Sequence, residues 1–236
     1  MHTEWETGES AQDYSHNVEA ADWRIMGYPA VFAALGLSAN ANAHDTVIDY
    51  GCGPGFVARH VAETFGRTVV GVDTSGSMIR LAAREYAHRR VTYRRIEPGS
   101  LSFLPDSSAG GCLSCYVFMQ MPDRLSMATA CTEIRRVLRP GAPFAMLNTN
   151  PDSVGVQFAT LRNGEPGRAY APGDPMTTVL RTDQGTLTLR DYYWRVDDYV
   201  DAVASAGFHD LAVEHLPPPT TDPTPRSQFL LIRAQA

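Results

Sequence analysis

Val47-Ile48-Asp49-Tyr50-Gly51-Cys52-Gly53-Pro54-Gly55 is the stretch whose reading decides the fold. Thr46, Val47 and Ile48 are β-branched, which suits a pleated strand, and the strand carries an acid near its end before running into three alternating glycines. Residues 56–65 then place Val57, Val61 and Phe65 at helical spacing, so the unit reads as strand, tight turn, helix. Glycines at such a turn let the backbone bend sharply and come close to a ligand where a side chain would clash. A ligand-free turn would look the same. The second feature is Asp73, 18 residues beyond Gly55 at the end of the next apolar run, where a carboxylate can hydrogen-bond both ribose hydroxyls of a nucleotide.

Working outward, 67–73 reads as the second strand, 75–88 as a helix and 91–96 as the third strand. Residues 111–118 follow as a fourth strand, 126–138 as a helix stopped by Arg139-Pro140-Gly141, and 143–148 as a fifth strand. Strands alternating with helices predict a parallel sheet. Upstream, 13–37 reads as two short helices broken at Gly27-Tyr28-Pro29. Downstream, 150–186 turns to Gly, Pro, Asn and Asp punctuation and reads as an insertion holding loops and a hairpin. A strand at 187–194, a helix at 196–206 and strands at 211–216 and 229–233 complete the chain. The expected fold is α/β: a Rossmann-like, doubly wound, mostly parallel seven-stranded sheet with helices on both faces, an N-terminal helical cap and an insertion after strand five. One domain over 1–236 divides into a cap at 1–45, a nucleotide-binding half at 46–149, a cap insertion at 150–186 and a C-terminal part at 187–236.

Composition narrows the function. With 236 residues, 44% of them apolar, the chain can bury one substantial core. A formal charge of −6 argues against nucleic acid, whose binding depends on Lys and Arg neutralising phosphates. All 20 basic residues are Arg, and a chain with no lysine has neither Schiff-base catalysis nor a Walker-type phosphate loop. Four cysteines are too few for a disulfide scaffold and point to a reducing cytoplasm. Residues 1–10 hold three Glu and no basic or apolar block, so no signal peptide is expected there. The longest apolar stretches, 29–37 and 112–121, fall short of the roughly 18 to 20 residues of a membrane helix. The expected state is a cytoplasmic monomer or homodimer without membrane or nucleic-acid partners.

A nicotinamide-dependent oxidoreductase also uses glycines and a downstream acid, but its fingerprint requires glycine where Phe56 stands. A pyrophosphate at the helix entry would also disfavour Asp49 nearby. A nucleoside joined to a zwitterionic amino acid suits the stretch better, since its ammonium can use Asp49 or strand-end carbonyls.

At this point the chain resembles the class I S-adenosylmethionine-dependent methyltransferases, in their small-molecule branch. Residues 49–55 look like the family's glycine-rich cofactor loop, and Gly71-Val72-Asp73-Thr74-Ser75-Gly76-Ser77-Met78 looks like its ribose-binding strand end and turn. Residues 135–141 are similar to its helix-to-strand turn before strand five, and Ala206-Gly207-Phe208 resembles its penultimate helix end. The resemblance implies S-adenosyl-L-methionine as cofactor, held by Asp49, Gly51, Cys52, Gly53, Gly55, Asp73, Thr74, Met78, Ser100, Leu101 and Cys115. Gly99-Ser100-Leu101 stands where the family often has an acid that accepts from adenine, and Ser100 can accept in its place. A second departure is Ala109-Gly110-Gly111, where many relatives carry an aromatic residue and Asp.

Open parallel sheets bind ligands beyond the carboxyl ends of their strands, which places the acceptor near Cys115-Tyr116 and Asn148-Thr149-Asn150. Tyr14 and Tyr28 are candidates for covering the methionine end of the cofactor, as a Tyr does in similar enzymes, with Tyr28 grouped on the acceptor side. Tyr116, Asn148, Asn150, Tyr192 and Trp194 complete the acceptor-side set, Tyr192 and Trp194 sharing one side of their strand. The expected reaction is methyl transfer to an oxygen or nitrogen of a small planar or aromatic metabolite, driven mainly by positioning. No catalytic residue is assigned: His16, His209 and His215 are the candidate bases, and phenol or acidic N–H acceptors need only modest proton removal. The alternatives are a same-fold enzyme with different chemistry and a non-catalytic cofactor-binding partner. Cys112 and Cys115 point to opposite faces of a strand without a second ligand pair, so no metal is expected.

Overall fold

The computed structural model describes residues 26–37, 45–182, 185–218 and 224–236. Its central sheet has seven strands in the spatial order β3-β2-β1-β4-β5-β10-β9. They are β1 (Thr46–Tyr50), β2 (Thr68–Asp73), β3 (Val91–Arg95), β4 (Gly111–Cys115), β5 (Pro143–Thr149), β9 (His209–His215) and β10 (Phe229–Gln235). The first five pair in parallel, and β10 runs antiparallel between β5 and β9. The order reverses at β1, with β2 on one side and β4 on the other, which is where an open α/β sheet leaves a crevice at its strand ends.

Two apolar layers cover the sheet. Val47 packs with α1 (Tyr28–Ala34) and α2 (Phe56–Phe65), while Ile48 and Tyr50 pack with α4 (Arg124–Val137) and α5 (Val196–Ser205). Strand alternation sorts the side chains in this way. Helix starts follow local chemistry. The Ser75 hydroxyl accepts the Met78 N–H at 3.2 Å to start α3 (Gly76–Glu85), and Asp123 accepts the Ser126 N–H at 2.7 Å to start α4. Gly66, with φ 66°, ends α2 in the left-handed conformation that glycine tolerates.

The expected strands and helices are present in the described residues, with boundaries moved by a few positions. One shift bears on the site: β4 ends at Cys115 rather than at 118, where Tyr116 has φ 61° and the chain enters a short 3-10 turn at Phe118–Gln120. Of the two N-terminal helices, the second is α1, begun after Gly27 with a proline in its first turn; the first lies outside the described residues.

A separate antiparallel sheet holds β6 (Leu161–Asn163), β7 (Pro175–Thr182) and β8 (Gly185–Tyr192). The expected strand at 187–194 is therefore β8 of this hairpin and not a strand of the main sheet, and a division at 186 falls inside the hairpin. β7 and β8 pair from Pro175↔Tyr192 to Thr182↔Gly185, so the inserted unit runs on through residue 192. Sequence alternation cannot say which sheet a strand joins. Inside it, Asn163 donates to the Thr178 hydroxyl at 2.7 Å, and that hydroxyl donates to Asp191. Trp194, just beyond β8, reaches the apolar layer under α4 and α5.

Candidate active site

A cavity of about 370 Å³ opens at the carboxyl ends of β1, β2 and β4. Three of its lining segments lie at these strand ends. The glycine turn contributes Tyr50, Gly51 and Gly53; the end of β2 and the start of α3 contribute Asp73, Thr74 and Met78; the end of β4 contributes Cys115, Tyr116 and Val117. These are the segments the sequence singled out.

The glycines divide the work. A Cβ on Gly51 would stand 2.2 Å from Val117 Cγ2, so this glycine lets the turn pass under the β4 end. Gly53 has φ 52° and nothing within 4 Å of the place its Cβ would take, so its open side belongs to the cavity. Gly55 is a packing glycine: its Cβ would meet Tyr93 Oη at 2.7 Å, and the Tyr93 hydroxyl donates to its carbonyl at 2.9 Å. Gly55 and Cys52 do not line the cavity.

Asp73 is held from two directions. Its Oδ2 accepts the Gly53 N–H at 2.9 Å and its Oδ1 accepts the Ser75 N–H at 2.8 Å. Burial raises its pKa, and backbone donors from Ser75, Gly53 and Thr74 pull it back down. The carboxylate is thereby fixed at the cavity wall with lone pairs left for hydroxyl donors.

Asp49 behaves differently. It sits on the α1 and α2 side of β1, 2% exposed, with Oδ2 lacking any hydrogen-bond partner, and it does not line the cavity. Burial and then the nearby Asp73 push its pKa up to about 7, against the Ala58 amide. Burial likewise pushes the Cys52, Cys112 and Cys115 thiols well up, so none is a thiolate near neutrality.

The adenine-side expectation needs correction. The lining residues after β3 are Ile96, Pro98 and Gly99, whereas the Ser100 hydroxyl donates to Ser102 Oγ at 3.2 Å. Leu101 is buried, and its N–H donates to Glu133 at 3.0 Å, fastening this loop to α4. Arg136 adds donors to the Leu101 and Leu104 carbonyls. Ser100 and Leu101 thus hold the wall from behind.

The acceptor-side residues split further. Tyr116 lines the cavity, its hydroxyl donates to the Met26 carbonyl, and its ring packs edge-on against Tyr28 and Phe229 at 6.0 and 5.5 Å. A tyrosine in the left-handed region costs about 1–2 kcal/mol, so the surrounding packing pins a strained strand end against the site. Tyr28 is buried against Phe56 and Tyr116 and borders a separate surface recess with Phe32 and His60. Asn150 caps the turn after β5: its Oδ1 accepts the Asp152 N–H at 3.1 Å and its Nδ2 donates to the Ser227 carbonyl at 3.0 Å. Tyr192 packs against the α4 and α5 layer, and Trp194 is buried with its indole N–H on the Met121 carbonyl at 3.0 Å. Neither lines the cavity, and neither does the buried Asn148. Tyr14 and His16 lie outside the described residues. His209 and His215 are on β9, the sheet's outer edge, away from the crevice.

Sequence reading missed the outer wall, made by Gln120, Met121, Pro122, Leu125, Ser126 and Thr129. Extending β4 to 118 hid the 3-10 turn that carries Gln120. The signal was Asp123, a helix cap directly after the fourth strand that aims the first turn of α4 at the strand ends. Among the described residues there is no group of three or more His, Cys, Asp or Glu that could hold a metal, and no helix is long and apolar enough to cross a membrane.

The cavity suits a nucleoside carried on a small amino acid: a fixed carboxylate for paired hydroxyls, an open glycine beside it, and an apolar wall of Met78, Ile96 and Leu125 for a base. A family model described as a methyltransferase domain matches residues 47–141, the stretch that builds most of this cavity. The chain belongs to the S-adenosylmethionine-dependent methyltransferases. It is 60% identical to the N-demethylindolmycin N-methyltransferase of Streptomyces griseus, across 100% of both chains. Among solved structures it is similar to an S-adenosylmethionine-dependent methyltransferase from Mesorhizobium loti, at a TM-score of 0.64 and 21% identity over 89% of this chain and 98% of that one. The [4+2]-cyclase SpnF shares the fold at a TM-score of 0.61 and 15% identity, over 91% of this chain and 83% of the cyclase.

The bound cofactor supplies an electrophilic methyl on a sulfonium. The chain's residues would do the rest: Asp73 and the open side of Gly53 stand at the cavity wall where they would hold the nucleoside, and Val117 to Thr129 supply the outer wall. Alignment of reacting atoms can supply on the order of 7 to 11 kcal/mol of the barrier.

Proposed function

We propose that this enzyme methylates a nitrogen of N-demethylindolmycin or a closely related aromatic metabolite. The observation that carries the reading is the 60% identity extending over both whole chains, including the second sheet and the C-terminal strands, beyond the part the family model matches. The site agrees with it. Asp73, Tyr50, Cys115 and Tyr116 are the titratable residues among the described lining residues, and no histidine stands there. An amine nitrogen attacks with its own lone pair and needs no base beforehand, whereas an alcohol oxygen does. The cofactor set within this reading is Gly51, Gly53, Asp73, Thr74, Met78 and Cys115, and the acceptor lies on the Tyr116 to Met121 side. A cytoplasmic location without nucleic-acid partners completes the reading, supported by four free cysteines and the acidic charge balance.

The test is incubation of the purified chain with S-adenosylmethionine and N-demethylindolmycin, reading a single added methyl on nitrogen and stoichiometric S-adenosylhomocysteine by mass spectrometry. A chain that binds the cofactor but leaves that acceptor unmodified would overturn the acceptor assignment.

A further inference from the structure

Asn148 and Asn150 stand two residues apart at the end of β5, and their amides are used in opposite ways. Asn150 has both ends of its amide engaged in capping the following turn. Asn148 is 1% exposed, and neither its Oδ1 nor its Nδ2 has a hydrogen-bond partner. A buried amide left without partners is costly, and nearly all such groups in folded proteins are satisfied by protein, water or ligand.

Its place in the sheet says which. Leu147 pairs with Cys115 and accepts the Tyr116 N–H at 2.7 Å, so Asn148 lies one position beyond that rung, level with the cavity-lining end of β4. Its antiparallel neighbour on β10 is Leu230, whose side chain offers no polar partner. Phe144 and Met146 face the layer under α4 and α5, and alternation puts Asn148 on that face, with Phe118 and Trp194. The 3-10 turn Phe118–Gln120 packs on β5 at this end, with Met119 Sδ taking the Thr149 hydroxyl at 3.4 Å, and Gln120 faces the cavity. The unpaired amide thus sits behind a short turn whose other side is the acceptor wall.

We propose that Asn148 is the acceptor-reading residue, engaged when the Phe118–Gln120 turn moves to admit the metabolite: Oδ1 accepts an N–H of the acceptor and Nδ2 donates to an adjacent acceptor atom. This rests on the methyltransferase reading and deepens it. The substrate class it selects presents an N–H beside a hydrogen-bond acceptor in one plane, as in an amidine or a nitrogen heterocycle. A neutral amide does not take up a proton near neutrality, so its role is to recognise and orient the nitrogen.

The experiment uses the full chain and Asn148→Leu, which keeps the volume and removes both polar atoms, with N-demethylindolmycin as acceptor. Acceptor kcat/KM is expected to fall roughly tenfold or more, as for losing two neutral hydrogen bonds, with cofactor affinity within about threefold. The ligand-free variant should melt at or above the wild-type temperature, because an unsatisfied buried amide has been replaced by an apolar group. A purely structural Asn148 would give the reverse, a lowered melting temperature with acceptor kinetics at saturating cofactor unchanged, and either result overturns the assignment. Should the wild type bind cofactor but not methylate N-demethylindolmycin, that overturns the choice of acceptor, and the melting comparison still decides Asn148.

Discussion

The Trp194 indole N–H donates to the Met121 carbonyl at 3.0 Å, joining the end of the inserted sheet to the outer wall of the cavity. The Arg124 guanidinium lies 5.4 Å from the Trp194 ring centroid and binds Asp198 on α5, so the first turn of α4 is tied to the same corner. Trp194 reaches the cavity wall through Met121 and does not itself line the cavity. Trp194→Phe keeps an aromatic ring and removes the donor. Acceptor kcat/KM should drop by roughly threefold to tenfold, the weight of about one neutral hydrogen bond. Titration should find cofactor affinity nearly unchanged. Trp194→Ala should in addition cost on the order of 3–5 kcal/mol of stability through lost packing. A Phe variant with wild-type acceptor kinetics would reduce Trp194 to core packing.

Asp73 carries the cofactor prediction. Asp73→Ala should weaken S-adenosylmethionine by about 1.5–3 kcal/mol, the usual loss for hydrogen bonds to a charged group. Part of that comes from the Gly53 and Ser75 amides, which lose their acceptor. Asp73→Asn keeps one acceptor oxygen, so by calorimetry it should fall between wild type and alanine. A folded alanine variant with wild-type affinity would remove Asp73 from the ribose site.

Gly51 and Gly53 should separate cleanly. Both have positive φ, at 76° and 52°, so any side chain costs about 1–2 kcal/mol of backbone strain. Only at Gly51 does a Cβ also strike protein, Val117, so Gly51→Ala should lower the melting temperature well beyond Gly53→Ala. Gly53→Val should leave the fold largely intact and abolish cofactor binding. Near-normal binding by that variant would make the loop a structural turn alone.

How far the site was legible follows from what each signal encodes. The glycine turn, Asp73 and the start of α3 are local in sequence and define their own geometry, so this part of the cavity wall could be read directly. Tyr192, Trp194 and Asn150 are aromatic or polar residues near the right strand ends, but their side chains are taken by partners distant in sequence: Met121 is 73 residues from Trp194, and Ser227 is 77 from Asn150. No periodicity reports such pairings. Tyr28 does not line the cavity for a related reason, since its ring is drawn into the packing of Phe56 and Tyr116. The outer wall was missed because an apolar run from β4 into the Phe118–Gln120 turn shows no break in hydrophobicity where the strand stops.

Asp49 gives the chain a dependence on pH. An isolated Asp titrates near 3.8, and burial followed by the Asp73 charge moves Asp49 to about 7 in the folded protein. The folded value lies above the unfolded one, so between about pH 4 and pH 7 the native state retains a proton that the unfolded chain has released. Stability is therefore greatest at the acid end of that window and falls as pH rises through it, by up to about 1.4 kcal/mol per pH unit. Asp73 is raised as well and adds in the same direction. Asp123 and Glu133 are lowered by their hydrogen bonds, so their contribution has the opposite sign, rising with pH through the ordinary carboxylate range at the acid end of the window. Urea unfolding of the ligand-free protein at intervals from pH 5 to pH 8 should show this decline, levelling above pH 7. Asp49→Asn, which cannot ionise, should flatten most of it and should be the more stable protein at pH 8. A cationic ligand bound nearby would favour the carboxylate, so cofactor binding at pH 6 should release protons, seen as a buffer-dependent enthalpy in wild type and reduced in the Asn variant. If the variant keeps the full wild-type slope, the unpaired Asp49 oxygen is not the source of the pH dependence.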